Sequence, residues 1–255
     1  MHASLAVALT YDRFLNGSSS SQRTLEEYTH WSQSTSLLNQ CLREPLKTSG
    51  KDPIWATAAA LAIFTFSSPV ARTPEHAWPL KSSTSSDLDW LRMSKGKMLL
   101  WDTVNPMRAG SLFRVMATTF AQIFSTLPDR GIEGIPKPLA AVCGLGESST
   151  ADNNPYHQAA HAVSQLMCLQ DGEVTTGHTQ VFIGTVSGHF EDLLSAKDSV
   201  ALLLLYLWYC KARHSTWWIE LRARVECPAI CSYLRLHHVH HADILAFLPG
   251  GTLAE

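Results

Sequence analysis

The segment "DSVALLLLYLWYCKARH" (residues 198–214) decides the fold that this sequence predicts. Its uninterrupted apolar run, residues 200–210, has 11 residues. A helix that crosses a membrane needs roughly 20 apolar residues, so no membrane span is expected here. A helix that is apolar on nearly all sides is typical of the centre of a larger helical protein. The segment therefore predicts a core helix.

The composition fits a chain that can bury a large core. Hydrophobic residues make up 45% of the 255 residues and charged residues 16%, which predicts a soluble, ordered protein. A formal net charge of -2 offers no basic surface for nucleic acid, so no direct DNA contact is expected. The cysteines have no C-x-x-C spacing, which indicates reduced thiols in an intracellular protein; they are Cys41, Cys143, Cys168, Cys210, Cys227 and Cys231.

Helical periodicity extends along nearly the whole chain. Residues 1–255 are predicted to form one all-α, helical-bundle domain of roughly nine to eleven helices. The one β-branched run, "QVFIGTV" (180–186), is ambiguous between helix and strand. Segments rich in proline, glycine and serine predict loops at 68–87, 128–138 and 143–155.

Capping residues mark the first three helices. The first is expected to end at Gly17, and Thr24 with Glu27 forms a capping box for the second. Asp52 followed by Pro53 is predicted to cap and open the third helix, "IWATAAALAIFTF", which should be central. Spacing by three and four residues predicts an inward stripe on the second helix, comprising Tyr28, Trp31, Thr35, Leu38 and Leu42.

The stretch "LRLHHVHHADIL" (234–245) raises the question of a metal site. If residues 229–248 form one helix, His237 and His241 lie on its apolar stripe, half-buried, while His238 and His240 fall off it. Cys231 would lie about 9 Å from His237 along such a helix, whereas zinc ligands lie within roughly 4 Å of one another. We therefore expect no metal site. The apolar stripe would comprise Ile230, Leu234, Ile244 and Leu248.

Other motifs resemble catalytic signatures without completing them. "HQAAH" (157–161) differs from the zinc-peptidase motif at Gln158, whose neutral amide cannot act as the general base. "GTVSGH" (184–189) is one residue away from a nucleophile elbow, and "CGLGES" (143–148) lacks most of a phosphate loop. No catalytic residues are predicted, and an enzyme is not expected.

Aromatic side chains crowd the C-terminal third of the chain. A helical bundle with such a lining can enclose a flat apolar ligand between helices, although plain core packing explains the same pattern. The ligand interpretation places a pocket between the 199–213 helix and the 216–248 segment. Its predicted ligand-binding residues are Tyr206, Trp208, Tyr209, Trp217 and Trp218.

Four segments, in this order, resemble the C-terminal regulatory domain of fungal zinc-cluster transcription factors, and the sterol uptake control proteins among them most. They are "MHASLAVAL" (1–9), "DPIWATAAALAIFTF" (52–66), "HAWPLKSSTSSDLDWLRMSKGKMLLWDTVNPMRAGSLF" (76–113) and "WWIELRARVEC" (217–227). The similarity covers nearly the whole chain and is most specific at Asp87–Trp101 and at the WPL of 78–80.

The resemblance implies an all-helical domain that regulates transcription by RNA polymerase II, located in the nucleus or shuttling with the cytoplasm. It implies an apolar ligand such as a sterol, and a homodimer. Zinc would belong only to the DNA-binding module, whose six closely spaced cysteines this chain lacks, so no cofactor is expected here. Met1 would then be an internal methionine of a longer protein.

Two alternatives remain open. The chain can be a free-standing helical protein that dimerises and modulates a full-length relative, in which case no cysteine cluster precedes it. It can also be an enzyme of a type that the motifs above do not reveal.

Overall fold

Helices account for the regular secondary structure of the computed structural model, which describes residues 1–16, 23–186 and 188–251. Ten helices have seven or more residues, and β pairing within these ranges is a single bridge between Arg130 and Thr150. The prediction of one all-α domain is therefore confirmed. The helices are α1 (His2–Leu15), α2 (Leu25–Leu42), α3 (Lys51–Phe66), α4 (Asp89–Met98), α5 (Trp101–Val104), α6 (Ala117–Ile123), α7 (Lys137–Val142), α8 (His157–Cys168), α9 (Thr176–Thr185), α10 (His189–Ser195), α11 (Ser199–Ala212), α12 (Trp217–His237) and α13 (Ala242–Leu245). Short 3₁₀ turns lie at Thr48–Gly50, Pro74–His76, Leu112–Met116 and Asp171–Glu173.

The apolar segment forms α11, the centre of the main core. The Asp198 carboxylate begins the helix by accepting the backbone N–H groups of Val200 and Ala201 at 3.1 and 2.9 Å. The four consecutive leucines of residues 202–205 are completely buried. Helices α8, α9, α10, α12 and α13 contact α11 from several sides, which explains why it has no polar face. The ambiguous run 180–186 belongs mostly to α9, so it is helical.

Helices α1, α2 and α3 pack together at the N-terminal end. The capping box at the start of α2 is confirmed: Thr24 Oγ1 accepts the Glu27 N–H at 3.1 Å, and the Glu27 carboxylate accepts the Thr24 N–H at 2.6 Å. The predicted inward stripe is wrong at its ends, because Tyr28 and Leu42 are 53% and 42% exposed. Glu27 and Ser34 face inward instead, because a buried ion pair holds Glu27 toward α1. The predicted end of α1 at Gly17 lies outside the described residues.

The start of α3 also differs from the prediction. The helix begins at Lys51 with Gly50 as its cap, so Asp52 lies inside the first turn. Its carboxylate accepts hydrogen bonds from Arg108 (2.7 Å), the Ser111 hydroxyl (2.8 Å) and the Leu112 N–H (2.9 Å). Asp52 therefore fixes a distant loop onto α3, and these partners lower its pKa against a smaller effect of burial.

Residues 229–248 do not form one continuous helix. Helix α12 ends at His237, and α13 begins at Ala242 after a turn. The aliphatic residues of the predicted stripe are buried on both sides of the break. They are Ile230, Leu234, Ile244 and Leu248. Among helices within the described ranges, none is by itself long and apolar enough to cross a membrane; α10 and α11 meet those criteria only taken together, as a pair bent by 93°.

Candidate functional site

Trp208, the central residue of the predicted ligand pocket, lies in the protein core. Neither it nor Tyr209 has any exposed surface. The Trp208 ring stacks on that of Phe182 with the centroids 5.2 Å apart, and its Nε1–H donates to the Thr179 carbonyl oxygen at 2.9 Å. One face and the polar atom of this indole are therefore occupied by the protein itself, and no part of the side chain is exposed.

The other predicted aromatic residues point to different surroundings. The Tyr209 hydroxyl donates to the Glu226 carboxylate at 2.7 Å, and burial together with that carboxylate raises the Tyr209 pKa. Tyr206 is buried, whereas half-buried Trp217 packs against the Tyr11 ring with the centroids 5.1 Å apart. The structure therefore divides the predicted set between the core and the contact of α12 with α1.

Trp218 lines a separate cavity of about 150 Å³ between α3, α4, α6, α9 and α12. The half-buried Lys97 shares this cavity, with its ammonium 5.9 Å from the centroid of the Trp55 ring. No carboxylate of the described residues lies within ion-pair distance of Lys97, and burial lowers its pKa. The cavity is smaller than the roughly 300 Å³ at which small-molecule sites begin. The five predicted aromatic residues thus do not surround one common cavity.

A larger recess lies where α1, α2 and α3 diverge. This recess, called here the α1–α3 groove, has a volume of about 400 Å³. That volume falls within the roughly 300–1,000 Å³ of small-molecule sites. Its apolar wall includes Ala3, Leu37, Leu38, Cys41, Leu46 and Ile54.

The sequence "CLREPLKTSG" (41–50) creates the groove. Pro45 cannot continue α2 and disfavours helix at the preceding residue, so the chain leaves the helix after Leu42. The 3₁₀ turn at Thr48–Gly50 then leads into α3. The connection holds the end of α2 and the start of α3 apart, with the groove between them. In the sequence, the groove is marked only by a short stretch that contains proline and glycine beside apolar residues. Such a stretch predicts a loop and does not identify a cavity.

The lining of the groove also includes polar residues, among them His2, Ser34, Glu44 and Lys47. The ring nitrogens Nδ1 of His2 and His30 are 2.9 Å apart, and the Ser34 hydroxyl donates to the His30 carbonyl oxygen at 2.7 Å. Glu44 and Lys47 are exposed. An apolar wall with a few polar groups suits an apolar ligand that carries a hydroxyl or carbonyl group.

The two histidines of "HQAAH" bind the backbone. Nε2 of His157 lies 3.0 Å and Nε2 of His161 lies 3.2 Å from the same carbonyl oxygen, that of Gly131. A carbonyl oxygen has two lone pairs, so it accepts both when each ring carries its proton on Nε2. Gln158 adds a donor to the Pro128 carbonyl oxygen at 3.1 Å. The motif therefore fastens the 128–131 loop onto α8, and burial lowers the His161 pKa, with His157 adding to the effect.

The C-terminal histidines lie at the surface around the break after α12. His237, His240 and His241 are exposed, while His238 is half-buried. The expectation that His237 and His241 are the half-buried pair is wrong, because it assumed a continuous helix. Within the described ranges, no group of three histidine, cysteine, aspartate or glutamate residues is placed to hold a metal ion.

Comparisons with known proteins add no identification to this geometry. No protein-family model, curated protein or solved structure matches the chain.

Proposed function

We propose that this chain is the ligand-sensing regulatory domain of a fungal zinc-cluster transcription factor, and that an apolar ligand such as a sterol binds in the α1–α3 groove. The observation that carries this proposal is the groove itself, with its volume of about 400 Å³ and its largely apolar wall. The sequence resemblance supports the regulatory part. The domain acts in the nucleus, is not an enzyme, and works as a homodimer.

The position of the groove gives a physical route from binding to regulation. Its wall takes residues from three helices, exemplified by Ala3 of α1, Leu38 of α2 and Ile54 of α3. An apolar ligand in contact with all three gains roughly 25 cal/mol for each Å² of apolar surface removed from water. Because that gain depends on the relative position of the helices, the ligand favours one arrangement over others. A shift of α1 or α2 can then be transmitted to a partner domain or subunit.

The test is thermal unfolding of the 255-residue chain with ergosterol, compared with a long-chain fatty acid. Binding to the native state alone adds about 2.7 kcal/mol at a ligand concentration of 100 Kd, so ergosterol raises the unfolding midpoint. The variant Leu37→Glu places a charge on the groove wall and is expected to remove this shift. Leu37 is 51% exposed, so the substitution leaves the fold intact.

Leu25→Glu is the matched control. Leu25 is 83% exposed, does not line the groove, and lies 12 residues before Leu37 on the same helix, about 18 Å away along its axis. An ergosterol shift that survives Leu37→Glu and Leu25→Glu equally would place the ligand outside the groove. A shift with the fatty acid alone would contradict the sterol assignment, and no shift with either would contradict ligand sensing.

The regulatory role has its own test, which is the size of the protein in its native cells. An immunoblot with an antibody against this domain is expected to show a protein much larger than 255 residues, because the DNA-binding module would be part of the same chain. A protein of 255 residues would instead support a free-standing modulator.

A further inference from the structure

Helices α11 and α12 lie side by side in a register that brings two cysteines together. The helices are joined by a short connection, residues 213–216, and are in extensive contact, so they form an antiparallel pair. The Tyr209 hydroxyl of α11 donates to the Glu226 carboxylate of α12 at 2.7 Å, which fixes the register. Cys210 and Cys227 directly follow these two residues in the chain, so they lie at nearly the same level of the helix pair.

The thiols of Cys210 and Cys227 are hydrogen-bonded to each other. Both are free thiols; Cys227 is buried, whereas Cys210 is half-buried at the edge of the core. A small reagent therefore approaches the pair from the side of Cys210. Cys231, which is also half-buried, lies one turn further along α12.

The surroundings make Cys210 the thiolate of this pair. The hydrogen bond from the Cys227 thiol lowers the Cys210 pKa most and outweighs the opposite effect of burial. The Tyr206 hydroxyl, one helical turn earlier, and the Arg213 guanidinium lower the Cys210 pKa further. Arg213 is held in place by its ion pair with Glu220 at 2.6 Å. The same thiol–thiol hydrogen bond and burial raise the Cys227 pKa, so Cys227 keeps its proton.

A partly exposed thiolate beside a second thiol is the kind of cysteine that peroxides oxidise to a disulfide. We propose that Cys210 and Cys227 are a peroxide-sensitive thiol pair, in which a hydroperoxide oxidises Cys210 and Cys227 then forms a disulfide with it. This disulfide ties the central helix α11 covalently to α12. Neither cysteine lines the α1–α3 groove, so the inference does not depend on the ligand proposed there.

The oxidation proceeds in two balanced steps. In the first, the Cys210 thiolate attacks one oxygen of hydrogen peroxide: an S–O bond forms, the O–O bond breaks, and the leaving hydroxide takes up a proton to become water. Cys210 is then a sulfenic acid. In the second, the Cys227 sulfur attacks the Cys210 sulfur: the S–S bond forms, the S–O bond breaks, and the hydroxide leaves as water with the Cys227 proton. Two thiols and one hydrogen peroxide thus give one disulfide and two waters.

The test is treatment of the reduced 255-residue chain with equimolar hydrogen peroxide at pH 7, followed by peptide mapping without reduction. The wild-type protein is expected to yield a peptide pair linked through Cys210 and Cys227 within one chain, which dithiothreitol separates. In Cys227→Ala the reaction should stop at the sulfenic acid, which dimedone labels at Cys210. Cys210→Ser should give neither the linked peptides nor that label. Cys168→Ser removes an exposed thiol outside the pair, so it should form the disulfide like the wild type.

The wild-type peptide map decides the proposal even if a variant fails to fold. The proposal is overturned if the peroxide oxidises the exposed Cys41 and Cys168 while Cys210 and Cys227 stay reduced. It is also overturned if Cys210 is linked to Cys231 instead, because the hydrogen bond selects Cys227 as the partner. Circular dichroism before and after the treatment verifies that the folded protein is the species oxidised.

Discussion

Replacement of Glu27 by alanine should be among the most destabilising single changes in the N-terminal helices. The Glu27 side chain is 1% exposed, and its carboxylate accepts hydrogen bonds from Thr10 Oγ1 at 2.8 Å, Arg13 at 3.2 and 3.3 Å, and the Thr24 N–H at 2.6 Å. Its removal leaves the Arg13 guanidinium, 8% exposed, as an unpaired buried charge. Breaking a buried ion pair on one side costs about 3–5 kcal/mol, a large part of the roughly 5–15 kcal/mol that stabilises a typical protein.

Urea unfolding followed by far-ultraviolet circular dichroism measures this loss. Thr24→Ala removes only the helix cap and should cost about 1 kcal/mol, so it separates capping from the ion pair. The combined change Arg13→Met with Glu27→Leu removes both charges and should cost much less than the sum of the single changes. Glu26→Ala is the exposed control. If Glu27→Ala is no more destabilising than Glu26→Ala, the reasoning about the buried network is refuted.

Three further predictions concern other parts of the molecule. Trp208→Ala should lower the free energy of unfolding, measured in urea, by about 3–5 kcal/mol, because the ring is packed in the core. The rise in the unfolding midpoint with ergosterol should remain. Loss of that rise in a folded variant would show that Trp208 belongs to the ligand site. Since burial lowers the His161 pKa, the unfolded chain binds the proton more tightly, and stability should fall as the pH drops below about 6.5; His161→Gln should flatten this slope. The hydrogen bonds of Asp52 lower its pKa, so the ionised carboxylate stabilises the folded protein above about pH 4 and this contribution is lost on acidification. Asp52→Asn should therefore lower the thermal midpoint at pH 7 more than at pH 3.

Local sequence signals predicted the elements of this fold because they depend on neighbouring residues. The capping box of Thr24 and Glu27 is formed within four residues. The apolar run of α11 required burial on all sides whatever surrounded it. The run 180–186, ambiguous by local pattern, is helical because α9 packs against α6 and α8, contacts that no local pattern reveals.

The candidate site could not be predicted in the same way, because a cavity forms where elements that are distant in the sequence do not pack fully against one another. The aromatic residues of α11 and α12 had the chemistry of a ligand pocket, but the helices around them pack closely enough to cover Trp208 and Tyr209 completely. Conversely, Leu46 belongs to no motif, and it lines the α1–α3 groove only because α2 and α3 diverge there.

The sequence by itself determined an all-α protein with a central apolar helix, because helical periodicity and total apolar content are encoded residue by residue. On α2, by contrast, only the tertiary structure decided which residues face the core. Glu27 faces inward, against the apolar stripe that spacing predicted, because Thr10 and Arg13 of α1 supply its buried partners. Burial energy and electrostatic pairing act between residues that are distant in the chain, so their outcome depends on the packed arrangement and not on the local pattern.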